Sequence, residues 1–96
     1  MTEERIAALW ERFRGTATLR VHALEAWYAG ELDHHTARAD AHKLAGTLGT
    51  FGRPDGSVAA AQLEQMLAAH LEHAQGDPRR DPDVPQLLDR IRACLA

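Results

Sequence analysis

No stretch of this chain alternates apolar and polar residues with period two, and its apolar residues return at the three-to-four spacing of helices. The clearest stripe is Ala37, Ala41, Leu44, Leu48 and Phe51, at intervals of 4, 3, 4 and 3. Such a pattern buries one face of a helix and leaves the other in water. Five helical segments are expected: about 2–14 with Thr2 as N-cap, 16–29 stopped by Gly30, 32 or 33 to 50, 57–75, and 83–95. Gly15–Thr16 reads as a break between the first two. The stretches "GRPDGS" and "GDPRRDPD" read as loops, because Gly, Pro and Asp cluster there. The expected fold class is all-α, an antiparallel four-helix bundle with a short additional N-terminal helix, residues 1–96 forming one domain.

Composition narrows the function classes. Only five residues are aromatic, two Trp, two Phe and one Tyr, so the core must be thin and its helices closely spaced. The net charge is −3 and no basic stripe with interleaved aromatics appears, which argues against nucleic-acid binding. The single Cys94 excludes an internal disulfide and a cysteine-based zinc site. No apolar run approaches the roughly 20 residues that span a bilayer, so no membrane partner is expected. The opening "MTEERIAALW" is amphipathic and acidic rather than signal-like, and a cytoplasmic setting is expected.

Chemistry concentrates in "AHKLAGTLGTFG", residues 41–52. At about 100° per residue, Gly46 falls about 40° from His42 and Gly49 about 20° to the other side. Arg38 and His35 lie one and two turns before His42, at about 40° and 20°. The apolar stripe centres more than about 100° away. His42 therefore points away from the core, with the turns after it stripped of side chains. Each glycine costs a helix interior about 1 kcal/mol against Ala. Gly49 is explained by fraying towards the helix end. Gly46 has two readings: close approach of a neighbouring helix, or an open path to the imidazole for a partner protein. A ring held out on a rigid helix suits a nucleophile towards phosphorus, since neutral imidazole is available near its reference pKa of about 6.5. Phosphoryl transfer asks for positioning and charge neutralisation, and Lys43 and Arg38 stand nearest to screen the incoming charge.

These residues resemble the histidine phosphotransfer (HPt) domains of multistep two-component signalling. The family pattern is a His, Leu at +2, Lys at +3, Gly at +4 and Gly at +10, then a helix bearing Leu-Glu. His42, Leu44, Gly46, Gly52 and Leu63–Glu64 match it, and the small Ala41 before the His is also typical. The resemblance implies a four-helix bundle in which His42 accepts a phosphoryl group from a receiver-domain aspartate and passes it on. It also implies that the divalent metal belongs to the receiver, so no cofactor and no metal are expected here. One position departs from the pattern: the lysine at +3 is Ala45, and Lys43 at +1 lies about 100° round the helix.

The remaining candidates have plainer readings. His35 and His42 stand roughly 10 Å apart along the axis, too far to share an ion. His70 and His73 form half a metal site at most. His70 is expected at the edge of the apolar stripe with a satisfied ring nitrogen, and His22 and His73 in solvent. Trp27 lies beside its stripe and, if exposed, is a candidate partner contact. No Gly-rich phosphate loop is present, so self-phosphorylation from ATP is not expected. The leading expectation is a monomeric phosphorelay module docking receiver domains of response regulators or hybrid kinases. Its docking face carries His35, Arg38, His42, Ala45, Gly46 and Gly49. The alternative is a helical adaptor that binds receivers and is never phosphorylated.

Overall fold

The computed structural model describes residues 2–73 and 76–96. Its helices are α1 (Glu3–Tyr28), α2 (His34–Thr50), α3 (Pro54–His73) and α4 (Val84–Ala93), with a 3-10 turn at Pro78–Arg80 before the last. Among the described residues there is no strand. Helix α2 packs on α1 and α3, α3 on α4, and α4 closes against α1. This is the expected helical bundle.

The break expected at Gly15 is absent. Helix α1 runs unbroken for 26 residues, so the segment expected as a separate N-terminal helix is its first half. Trp10 and Ala17 are buried on either side of Gly15, and Thr18 Oγ1 donates to the Arg14 carbonyl at 2.9 Å across the same turn. Burying a tryptophan outweighs the roughly 1 kcal/mol that one glycine costs a helix. Helix α3 starts at Pro54, earlier than expected, because a residue without an amide hydrogen suits the first turn. Its expected end at Gln75 lies outside the described residues.

Local chemistry fixes where α2 begins and ends. The Asp33 carboxylate accepts from the Thr36 amide at 2.7 Å and from Thr36 Oγ1 at 2.9 Å. That backbone bond, followed by the hydroxyl, holds the Asp33 carboxyl below its ordinary pKa. At the other end Gly52 adopts φ 70°, Arg53 N–H donates to the Leu48 carbonyl at 2.8 Å, and Gly52 N–H to Gly49 at 3.3 Å. A left-handed glycine closing two such bonds is a Schellman cap.

The core is leucine-filled and alanine-spaced. Leu24, Trp27, Leu44, Leu48, Leu63, Leu67, Leu88 and Ile91 are buried, and Ala37, Ala41, Ala59 and Ala60 beside them have no exposed surface. Gly56 is buried at the tightest approach: a Cβ there would stand 2.6 Å from Cys94 Sγ and 2.9 Å from Leu48 Cδ1. Arg53 lies over the Trp10 ring at 4.1 Å and donates to the carbonyls of Cys94 at 2.8 Å and Ala96 at 3.4 Å. The loop after α2 is thereby joined to α1 and to the end of α4.

Two sequence expectations change at the other end of the bundle. Trp27 is fully buried and therefore no partner contact; its Nε1–H donates to His34 Nδ1 at 2.8 Å. His70 packs edge-on against His34 with ring centroids 4.9 Å apart, and its Nδ1 is buried with no hydrogen-bond partner among the described residues, rather than satisfied. Burial, and then the neighbouring His70, push the His34 imidazole below its ordinary pKa of 6.5, with Asp77 pulling weakly the other way. A protonated Nδ1 would also have no lone pair for Trp27. Arg79 forks onto Asp77, with Nη2 at 2.7 Å, and holds that carboxyl far below its usual value.

Gly56→Ala should lower stability by about 1–3 kcal/mol through overpacking, read as a lower urea midpoint with unchanged m-value. For His34 the folded-state pKa lies below the unfolded one, so the unfolded chain binds the proton first. Its contribution is complete above the unfolded value of 6.5 and is lost as pH falls from there through the lower folded-state pKa. Unfolding curves from pH 7 to pH 5 should therefore show falling stability, with a shallower fall in His34→Gln.

Candidate functional site

His42 is the midpoint of α2, and the helix is held from behind. Ala37, Ala41, Leu44 and Leu48 on the opposite side are all fully buried, which fixes the rotation of α2 and turns His42 outwards. The imidazole side chain is 73% exposed.

One edge of that ring is nevertheless anchored. His42 Nδ1 stands 2.9 Å from Oε1 and 3.0 Å from Oε2 of Glu64, on the neighbouring α3. A carboxylate has no proton to donate, so Nδ1 carries the hydrogen and both oxygens accept it. The neutral ring then has its lone pair on Nε2, which meets no hydrogen-bond partner among the described residues. Glu64 is only 25% exposed, so its stem is confined while the His42 ring stays open. Exposed pairs of this kind add little stability. Their value is orientation. Glu64 was not among the expected site residues, although Leu63–Glu64 was legible as a matching pair.

Five of the seven expected site residues line two open hollows that both include His42 and Lys43; Ala45 and Gly49 line neither. The hollow on the α1 side, about 520 Å3, also takes in Gly46 from α2 and Phe13 and Arg20 from α1. The other, about 370 Å3, takes in His35, Arg38 and Glu64. Gly46 is open: among the described residues a Cβ there would meet nothing within 4 Å. Close helix approach, one of its two sequence readings, belongs instead to Gly56. Gly49 is exposed, but a Cβ there would stand 3.1 Å from Ser57 Oγ, so its bareness also admits α3. Ala45 is half-buried against the core, and its carbonyl accepts from that Ser57 hydroxyl at 2.7 Å.

The arrangement offers one nucleophilic nitrogen with its tautomer set, cations beside it and open space in front. Among the described residues no three His, Cys, Asp or Glu side chains are placed to hold a metal ion, and no helix is long and apolar enough to cross a membrane. The family model for the Hpt domain matches residues 8–95, nearly the whole chain, and the chain belongs to that family. Its general role is therefore phosphotransfer in two-component signalling, in which Hpt domains interact with receiver domains. Searches among curated proteins and among solved structures gave no match.

Glu64→Ala should leave the fold intact and remove the tautomer preference of His42. Nitrogen-15 spectra of the ring at neutral pH should show hydrogen on Nδ1 in the wild type and a mixture in the variant. A wild-type ring protonated on Nε2 would contradict the geometry.

Proposed function

We propose that His42 is the phosphoacceptor of a phosphorelay, taking a phosphoryl group on Nε2 from the aspartyl phosphate of a receiver domain and passing it to another. The observation that carries this reading is the ring's orientation: Nδ1 is bound by Glu64, Nε2 has no hydrogen-bond partner among the described residues, and the ring borders an open hollow. The Nε2 lone pair attacks phosphorus, the N–P bond forms, and the aspartyl O–P bond breaks to release a carboxylate. No proton has to move. The hydrogen stays on Nδ1, the ring becomes formally cationic, and the Glu64 carboxylate beside it offsets that charge. The reverse step uses the same groups, which suits a relay.

The docking surface in this reading is the exposed side of α2 with the α1-side hollow. Gly46 leaves the space an incoming receiver needs, and Phe13, 46% exposed, adds an apolar contact. A receiver-binding adaptor that is never phosphorylated is the second reading. It is favoured by one observation, the alanine at position 45 where the family supplies lysine.

The two readings separate when the protein is mixed with a panel of phosphorylated receivers. Phosphotransfer gives an acid-labile, base-stable label on the wild type and none on His42→Gln. Binding without label on the wild type selects the adaptor, and equal labelling of His42→Gln moves the site elsewhere. Gly46→Leu should slow transfer roughly tenfold or more by blocking docking, at equal or higher helicity; collapse of its helicity would assign Gly46 to packing.

A further inference from the structure

A phosphoryl group on Nε2 brings two negative charges to a site whose family lysine is Ala45. Three cations line the hollows round His42: Arg38 and Lys43 on α2, and Arg20 on α1. Glu64 sorts them. It holds Nδ1 towards α3, so the edge of the ring bearing Nε2 faces away from α3. Arg38 shares its hollow with the Glu64 carboxylate, which repels a phosphoryl dianion. Arg20 shares its hollow with Lys43 and with no carboxylate among the lining residues.

We infer that Arg20 is the phosphoryl-binding cation of this domain, reaching from α1 across the hollow in place of the lysine absent at position 45. The inference rests on the phosphotransfer reading. Three features of Arg20 carry it. Its guanidinium fork matches two phosphoryl oxygens at once, which the point charge of Lys43 does not. Its side chain is only 28% exposed, so it is confined beside the site and less screened than a free surface cation. Its one ion pair among the described residues is loose, with Nη1 3.9 Å from Asp40 Oδ1, beyond hydrogen-bonding distance. Arg79, by contrast, is closed onto Asp77 at 2.7 Å and has no fork to spare. As the N–P bond forms at Nε2 and the bond to the leaving group breaks, Arg20 holds the equatorial oxygens on both sides of the transfer. It neither gives nor takes a proton.

The test compares wild type, Arg20→Gln, Arg20→Lys and Asp40→Asn with two donors. One is a panel of phosphorylated receiver domains. The other is potassium phosphoramidate, a small donor that needs no docking and releases ammonia. Arg20→Gln should label roughly tenfold more slowly with both donors, and Arg20→Lys should fall between it and wild type. Asp40→Asn frees the guanidinium and should label at least as fast as wild type. A role confined to clamping α1 on α2 predicts the opposite: both partners' variants would slow together and melt earlier together. That outcome overturns the inference, as does an Arg20→Gln rate equal to wild type, or a loss seen with receivers but not with phosphoramidate. In each of these cases the wild type still labels, so phosphotransfer itself stands. A wild type that labels with neither donor removes the phosphotransfer reading and Arg20 with it.

Discussion

The close packing of α2 on α3 is the constraint from which the rest follows. Ala37 and Ala41 on one helix, and Ala59 and Ala60 on the other, are fully buried. Gly56, Cys94 and Leu48 meet where the space is tightest. Small residues along a seam let helix axes approach to the short end of the usual 8–10 Å range. Across this seam a glutamate on α3 meets the histidine of α2 at 2.9 Å while the ring remains open to solvent.

The site is built from opposed demands on one exposed ring. Its chemistry needs an unobstructed nitrogen, yet an unobstructed side chain on a helix samples several rotamers. In the proposed transfer, Glu64 resolves this by holding the edge opposite the attacking nitrogen. The charges differ by side: the α3-side hollow holds the Glu64 carboxylate with Arg38 and Lys43, and the α1-side hollow holds Lys43 and Arg20 with no carboxylate among its lining residues. The anchor of the ring and one of the cations near it thus come from two different helices, neither of which contains the histidine.

The helical class, the apolar stripes and the outward rotation of His42 were legible because they are properties of one helix at a time. Ala37, Ala41, Leu44 and Leu48 have the spacing of a buried face and are that face. Gly15 misled because its local cost is outweighed by Trp10 and Ala17, whose burial depends on partners that the segment itself does not contain. Trp27 misled for a similar reason: its polar edge is satisfied by His34 from the next helix. Glu64 and Arg20 were missed as neighbours of His42 because the wheel of α2 cannot display what α3 and α1 bring to its flanks. Gly46 and Gly56 look alike as letters, and only the neighbouring chain separates the open one from the crowded one.

Arg53 has a consequence for how far the site extends. Its guanidinium rests on Trp10, whose ring stands 5.7 Å from Phe51, and Phe51 stands 5.8 Å from Phe13 in the wall of the α1-side hollow. The same guanidinium holds the carbonyls of Cys94 and Ala96 after the short α4. Ten-residue helices are marginal by themselves, so this tether is part of what keeps the last turn folded. The rim of the hollow and the C-terminal turn are thereby linked through one guanidinium and three aromatic rings. That path runs through Phe51, the C-cap of the histidine helix, so the packing of the last turn and the end of α2 are tied at the same residue.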